Sequence, residues 1–398
     1  MRAMLKSHIA LAALALAASQ ANAQSLNTFT LQSTGYAVSA DGKWATFGTP
    51  SSAGGSAVGL WSVQNSMMTD IGGLAGGSGR IVISADGSTI AASTMNASGK
   101  LVASVYSTST GSWTALPTLG GSVGVLASDS WSISADGRYV GGSAYLGSSS
   151  RPSLTDTVTG TTIDISGVAG RVQGISPGAQ TLIGYTTSSQ AGAMWKLNSG
   201  GTYTLTTLKD PNTPANTLNS TAAMSGNGLW AAGNSFNGVN DKPYRVDLGT
   251  GEVQFFGKIG TTLGTGKITA SVGSISADGN TIVGIESPQG ATLPGSFGFI
   301  WKADGTFNSA THTLGGTTMN FDDYLAGYGI DLDNHYNFVS VIGMSADATV
   351  FNGIAIDNLT GGQVSFIVTV PVPEPSQYAL LAAGLGVLAW VARRRKRA

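Results

Sequence analysis

The sequence predicts an all-β fold, a seven-bladed β-propeller with four strands in each blade. A Ser-centred phrase recurs seven times, 57 of the 398 residues are Gly, and polar turns separate many short apolar runs. Repeats of about 50 residues that each hold four strands have the size of one propeller blade. The chain contains no Cys, which excludes disulfides and Cys-ligated metal sites.

The repeated phrase has the form Ile-Ser-Ala-Asp-Gly, as in residues 83–87. A β-rich run ends at each serine, a polar turn follows and a second apolar run begins, which predicts a β-hairpin. Asp suits this turn because its carboxylate accepts backbone N–H bonds, and Gly accepts a positive φ. Trp recurs in a third run at Trp61, Trp195 and Trp301, where its fixed position indicates packing between blades. The repeat serines are Ser39, Ser84, Ser134, Ser176, Ser225, Ser276 and Ser345.

The N-terminal strand is expected to complete the last blade. An apolar run at 28–31 precedes the first repeat, whereas the last repeat supplies only the runs 350–356 and 364–370 after its turn. Pairing of the two ends would close the ring and remove exposed strand edges. A β-solenoid is the alternative, but its repeats would be shorter. The predicted propeller domain is 24–371.

Residues 1–23 have the pattern of a cleavable secretory signal peptide. Two basic residues precede an apolar run at 9–18, and small residues at Ala21 and Ala23 form a cleavage site for signal peptidase. The alternative is an uncleaved membrane anchor, but the apolar run is too short to span a bilayer. The sequence therefore predicts export across the inner membrane.

The C-terminal segment 372–398 has three parts: a Pro-Glu-Pro triplet, an apolar run at 378–392 and a basic cluster. A helix over the apolar run would cover about 22 Å, less than the roughly 30 Å of a hydrocarbon core. By itself the run is a marginal transmembrane helix, although basic residues at its end would favour insertion. The positions that define the pattern are Pro373, Glu374, Pro375, Arg393, Arg394 and Arg395.

This tripartite pattern resembles the PEP-CTERM sorting signal of Gram-negative bacteria. The resemblance implies transient inner-membrane insertion, recognition by an exosortase, removal of the tail and delivery to the cell surface, in organisms where the system accompanies exopolysaccharide production. The repeats over 34–370 are also similar to HAF-type extracellular repeats and to the propeller repeats of TolB-like proteins. Those similarities imply an architecture and leave the activity open.

The charge of the chain differs between its ends and its middle. The first 23 residues carry two basic groups and no acid, and residues 376–398 carry five and no acid. Thirteen basic and 21 acidic residues remain between them, a net charge of −8. An acidic mature protein disfavours nucleic acid and anionic lipid as partners.

The interval of 69 residues before the last repeat serine departs from the period. It contains a predicted short helix at 320–326, capped by Asn320. Asp322, Asp331 and Asp333 supply hard oxygen ligands close together in sequence, so calcium is a candidate ligand here. The alternative is a solvated acidic surface, because the Gly and bidentate Glu of a complete calcium loop are absent. No other cofactor is predicted.

Residues suited to catalysis are scarce. After export only His312 and His335 remain for a Ser–His–Asp set. Glu252 and Glu286 join many Asp as candidate carboxylates for glycoside cleavage, but no spacing selects a pair. These counts disfavour an enzyme.

Aromatic side chains offer a binding alternative. Trp44, Trp113, Trp131 and Trp230 lie outside the recurrent third run, and Trp rings can stack on sugars. The sequence therefore favours a non-catalytic surface or matrix protein that binds exopolysaccharide or surface proteins. The competing hypothesis is an exported polysaccharide-modifying hydrolase or lyase on the same scaffold.

Overall fold

The computed structural model describes residues 24–30, 37–51, 56–74, 77–187, 191–219, 221–236, 241–258, 268–288 and 293–371. Residues 26–368 form one compact unit. The predicted signal peptide, 1–23, and the predicted sorting segment, 372–398, lie outside the described residues.

The described part of the chain confirms the all-β class, with 28 strands and one α-helix, α1 (Phe321–Ala326). Short strands separated by turns follow from the many Gly, Ser and Thr residues. The strands are β1 (Ser25–Thr30), β2 (Ala37–Val38), β3 (Trp44–Pro50), β4 (Ser56–Ser62), β5 (Met67–Asp70), β6 (Val82–Ile83), β7 (Thr89–Met95), β8 (Leu101–Ser107), β9 (Ser112–Ala115), β10 (Ser128–Ile133), β11 (Tyr139–Leu146), β12 (Ser149–Asp156), β13 (Thr161–Asp164), β14 (Gly170–Ile175), β15 (Thr181–Thr186), β16 (Ala191–Leu197), β17 (Tyr203–Thr207), β18 (Thr221–Met224), β19 (Trp230–Phe236), β20 (Asp241–Asp247), β21 (Val253–Phe255), β22 (Ile268–Ile275), β23 (Thr281–Pro288), β24 (Phe297–Asn308), β25 (Thr313–Asn320), β26 (Tyr336–Met344), β27 (Val350–Asp357) and β28 (Gln363–Thr369).

Strands that follow one another in the chain are hydrogen-bonded neighbours in groups of four. Four such sheets are β2–β5, β6–β9, β10–β13 and β14–β17. The groups β18–β21 and β22–β25 are joined into one sheet by a single parallel pair, Phe255 with Thr313. In the last sheet β1 lies next to β28, in the order β1-β28-β27-β26.

The hydrophobic core lies between successive sheets. Trp195 packs with Leu154 of the preceding sheet, and Trp301 packs with Ala232 of the preceding group of four strands. Trp61, in the first sheet, packs in one cluster with residues of the last sheet. All three Trp side chains are 5% exposed or less, which confirms that this recurrent Trp packs between sheets.

Each repeat serine holds its turn through its hydroxyl group. Ser84 Oγ donates to Asp86 Oδ1 at 2.8 Å and accepts from Thr89 N at 3.0 Å, while Asp86 Oδ1 accepts from Ser88 N. All seven repeat serines accept a bond from the backbone N–H five residues later. The predicted role of the turn aspartate as an acceptor is confirmed.

Backbone hydrogen bonds also join the turns of neighbouring sheets. Ala85 N donates to Ala135 O at 2.9 Å, and Ala277 N donates to Ala346 O at 3.0 Å. Ala346 N in turn donates to Ala40 O at 3.0 Å, which links the last repeat to the first. The Ala of the repeated phrase therefore sits where neighbouring backbones approach closely.

The helix predicted in the long interval is confirmed as α1. Asn320 caps it by accepting a bond from Asp322 N at 3.0 Å. Its buried face packs into an aromatic cluster in which Phe321 contacts several rings of the last sheet. Those rings belong to Phe338, Phe351 and Phe366. The helix thus adds to the core of the last sheet.

Candidate functional site

A central cavity of about 220 Å³ is lined by residues in or next to the first strand of every group of four. In several of these strands a β-bulge turns one residue toward the cavity, so that this residue forms part of the cavity wall. In β14 the register shifts between Val172 and Gly174, and Gln173 between them lies on the wall. The bulged wall residues each lie three positions before a repeat serine: Trp131, Gln173, Ala222, Gly273 and Ile342.

An apolar belt lines the same cavity. The residue immediately before each repeat serine is apolar in all seven repeats and lies on the wall. The apolar belt consists of Val38, Ile83, Ile133, Ile175, Met224, Ile275 and Met344. The belt is uniform, whereas the bulged positions differ in size and polarity. Any selectivity of the cavity therefore depends on the bulged positions.

Two arginines meet one tryptophan beside this wall. Arg80 and Trp131 line the cavity, and Arg171 contacts the ring of Trp131. The guanidinium carbon of Arg171 is 3.7 Å from the ring centre of Trp131, and that of Arg80 is 5.2 Å from it. Both contacts are within the range of cation–π attraction. We call Arg80, Trp131 and Arg171 the arginine–tryptophan cluster.

A buried carboxylate supports one of the two arginines. Asp129 is 3% exposed, and its Oδ1 accepts bonds from the N and Oγ of Ser143. Its Oδ2 accepts a bond from Ser78 Oγ at 2.9 Å and lies 3.8 Å from Nη2 of Arg171. Asp129 therefore balances Arg171 in part while its own hydrogen bonds keep it in place.

Arg80 carries the charge that is left unbalanced. Its backbone N donates to Ser130 O at 2.7 Å, which fixes it beside β10, and its Nη1 donates to Ala222 O at 3.4 Å. Burial, and then the charge of Arg171, lower the pKa of Arg80. Among the described residues no carboxylate lies within ion-pair distance of it. The cluster therefore holds a net positive charge at the cavity wall.

The three aspartates predicted as calcium ligands lie elsewhere. Asp331 accepts backbone bonds from His335 and Tyr336, and Asp322 Oδ1 accepts one from Phe338 N at 3.0 Å. The side chain of Asp333 is exposed to solvent. No group of three His, Asp or Glu in the described ranges could hold a metal ion. The geometry does not favour calcium here, and calcium binding stays a prediction.

The two histidines also lie away from the cavity wall. His335 Nε2 is 3.4 Å from Asp357 Oδ1, and its ring stacks on Tyr336 at 4.2 Å. His312, in the turn between β24 and β25, meets the edge of Phe307. Each histidine is thus engaged by neighbours in a different part of the last two strand groups.

Of the four tryptophans predicted as sugar-stacking candidates, only Trp131 lines the central cavity. Trp44 and Trp230 both stand five residues after a repeat serine and pack against the turn glycine of the next group of four strands. Trp113 Nε1 donates to Ile71 O at 2.6 Å. Aligning the repeats on their serines would have revealed the shared position of Trp44 and Trp230, and hence their packing role.

Residues 371–396 match the family described as the PEP-CTERM protein-sorting motif. The chain carries a PEP-CTERM sorting motif. Such a motif is a substrate signal for exosortase, and it implies export and sorting to the cell surface through a transient membrane-anchored precursor. Within the described ranges no helix is long and apolar enough to cross a membrane; the predicted transmembrane run lies beyond them.

Solved structures with this fold are β-propeller proteins of low sequence identity. The propeller domain of the trilobed protease from Pyrococcus furiosus is 12% identical, with 86% of this chain and 95% of that chain covered and a TM-score of 0.50. An oligogalacturonate lyase in complex with manganese is 14% identical, with coverages of 87% and 96% and a TM-score of 0.50.

A putative TolB from Agrobacterium tumefaciens is 13% identical to the chain, with coverages of 56% and 79% and a TM-score of 0.41. No curated protein sequence is significantly similar to the chain. At 12% and 14% identity, the likenesses to the protease domain and to the lyase show the fold alone.

Proposed function

We propose that the protein is an exported cell-surface β-propeller whose seven blades form a closed ring. The grouping of the 28 strands by fours supports the blade count. Three contacts support closure: β1 lies beside β28, β2 contacts β26, and Ala346 N donates to Ala40 O. A closed ring pairs the strand β1 with the last blade and leaves only the short edges of each blade, which suits an exported protein without disulfides.

Two processing steps bring the propeller to the surface in this proposal. Signal peptidase removes residues 1–23 after Ala23, and exosortase acts near the Pro-Glu-Pro triplet of 372–398. The domain left at the surface is 24–371. Its net charge is negative, because both basic segments are lost. Mass spectrometry of the protein recovered from the producing cells tests both cleavages.

The central cavity is the proposed binding site, and the proposed role is non-catalytic. The observation that supports binding is the arginine–tryptophan cluster on the cavity wall, which carries unbalanced positive charge in an acidic protein. The described wall contains no Asp, Glu or His, the side chains most often used as general acids and bases. The proposed partners are exopolysaccharide or surface proteins.

A retention experiment tests this function. The purified full-length chain is incubated with exopolysaccharide and with surface proteins from the producing cells, and bound protein is measured by sedimentation. We expect retention without any shortening of the polymer, and weaker retention for Arg80→Met. Arg138→Met is the matched control, because Arg138 is paired with Asp156 away from the cavity.

Two outcomes contradict the proposal. If the chain is retained by neither fraction, the binding role is wrong. If the polymer is shortened, or acquires the unsaturated ends that a lyase leaves, the protein is an enzyme.

A further inference from the structure

We infer that the central cavity binds a carboxylate group, carried by a terminal uronic acid residue of an acidic polysaccharide. This inference rests on the proposed function and names the chemistry of its ligand. It follows from the charge of the arginine–tryptophan cluster, from the volume of the cavity and from the apolar belt.

The cluster has an unused capacity for an anion. One carboxylate, Asp129, lies 3.8 Å from Arg171, and its oxygens already accept three hydrogen bonds from serine residues. Arg80 has no carboxylate partner in the described part of the chain. The planar fork of a guanidinium group matches a carboxylate through two parallel N–H bonds. A carboxylate at the wall would therefore pair with Arg80 and relieve its repulsion by Arg171.

Trp131 positions these two arginines, and the sugar does not stack on its ring. Arg171 lies 3.7 Å from the ring centre of Trp131, so this ring face is already covered. The cation–π contacts hold two like charges near each other before a ligand arrives. An arrangement that is set in advance loses less conformational entropy when the ligand binds.

The cavity has room for about one sugar ring. Its volume of about 220 Å³ is many times the roughly 10–15 Å³ that one water molecule needs on the same measure. One uronic acid residue at a chain end therefore fits in it. The rest of the polysaccharide then stays outside the cavity.

The apolar belt favours a sugar over an acidic peptide. A sugar ring has C–H faces that can contact apolar side chains such as Ile83, Ile133 and Ile175. The hydroxyl groups of a sugar can bond to polar wall residues such as Ser132 and Ser274, whereas peptide backbone groups that lie against the belt lose their hydrogen bonds to water. Binding of a free acidic amino acid is therefore expected to be weaker than binding of a sugar acid.

Calorimetric titration of the purified full-length chain tests the inference, with free glucuronate as the probe. We expect glucuronate to bind, and glucose and N-acetylglutamate to bind at least tenfold more weakly. Arg80→Met is expected to weaken glucuronate binding at least tenfold and Arg80→Lys by less, because Lys keeps the charge without the planar fork. Arg138→Met is expected to bind as the wild type does, and circular dichroism verifies that each variant is folded.

The outcomes separate this inference from the proposed function. If the chain retains polysaccharide but glucuronate neither binds nor competes, the inference is wrong and the proposed function stands. If glucuronate binds but no polysaccharide or surface protein is retained, the proposed function is wrong and the carboxylate site stands. If glucose binds as tightly as glucuronate, the inference that the site recognises a carboxylate is wrong. If N-acetylglutamate binds as tightly as glucuronate, the inference that the site selects a sugar is wrong. Neither comparison needs a variant.

Discussion

Gly279, in the turn between β22 and β23, lies directly against the indole ring of Trp230 from the preceding group of strands. A Cβ atom on Gly279 would lie 2.5 Å from Cγ of Trp230, and the φ angle of Gly279 is +74°. Gly87 and Trp44 repeat this relationship between the first two sheets. The turn glycine therefore provides a left-handed backbone and also allows neighbouring sheets to approach closely.

Gly279→Ala is expected to lower the free energy of unfolding by about 2–4 kcal/mol, from backbone strain and overpacking together. Gly305→Ala is the matched control, because Gly305 has a φ of +83° and no atom within 4 Å of its Cβ position. Gly305→Ala is therefore expected to lower the free energy of unfolding by about 1 kcal/mol, from backbone strain alone. Urea unfolding measures both. Equal losses would show that the contact with Trp230 does not limit this position.

Ser84→Ala tests the hydroxyl group that holds each turn. The variant leaves Thr89 N without its acceptor and Asp86 without one donor, in a site where Ser84 is fully buried. We expect a loss of about 1–3 kcal/mol in the free energy of unfolding. Ser109→Ala is the control, because Ser109 is exposed and bonds only to the hydroxyl of Ser107. A loss no larger than that of the control would contradict the structural role of the repeat serine.

Arg245 joins two successive groups of strands through a buried guanidinium group. Its Nε donates to Gln254 Oε1 at 2.8 Å, its Nη1 donates to Gly279 O at 2.6 Å, and its guanidinium carbon lies 4.1 Å from the ring centre of Trp230. Burial lowers the pKa of Arg245. These contacts cross from β20 to the turn between β22 and β23.

Arg245→Met keeps an apolar stem of similar length but leaves two buried acceptors without donors. We expect the free energy of unfolding to fall by about 2–4 kcal/mol. Arg138→Met, at an exposed ion pair with Asp156, is expected to change stability little because water screens that pair. Thermal and urea unfolding of both variants measure the difference. Similar midpoints for the two would contradict the linking role of Arg245.

Much of the fold could be predicted because the repeats specify it locally. Each Ser-Ala-Asp-Gly turn carries its own hydrogen bonds, so the hairpins were visible at Ser39, Ser84, Ser134 and Ser276. The cap at Asn320 and the buried Trp positions followed from equally local patterns. Such features need no knowledge of what lies on the neighbouring strand.

The candidate site could not be predicted in the same way. Trp131 reaches the cavity because of a bulge between Ser130 and Ser132, and a bulge is a property of the pairing with β11. The meeting of Arg80 and Arg171 at Trp131 joins residues about ninety positions apart, from two groups of strands separated by a third. Periodicity within one strand contains no signal for either feature.

Asp322 makes the stability of the last group of strands depend on pH. Burial raises its pKa to about 6, and the charges of Asp323 and Asp331 add to the shift. Its Oδ2 is buried without a hydrogen-bond partner in the described part of the chain. An unfolded Asp has a pKa of about 4, so between about pH 4 and 6 the folded state holds a proton that the unfolded state has lost. The contribution of the raised Asp322 pKa to the free energy of unfolding is therefore complete below pH 4, and it is lost as the pH rises through 6.

Asp322→Asn removes this dependence, because Asn is neutral at every pH and its oxygen can still accept the bond from Phe338 N. We expect the variant to match the wild type near pH 4 and to exceed its free energy of unfolding by at most about 3 kcal/mol at pH 7.5. Asp323→Asn, at an exposed neighbour on the same helix, is expected to keep most of the wild-type loss between pH 4 and 6, because burial is the largest cause of the shift. Urea unfolding at pH 4, 5, 6 and 7.5 measures all three proteins. A difference between Asp322→Asn and the wild type that stays constant with pH would mean that Asp322 has the same pKa in the folded and the unfolded state, because only a difference in pKa produces proton linkage.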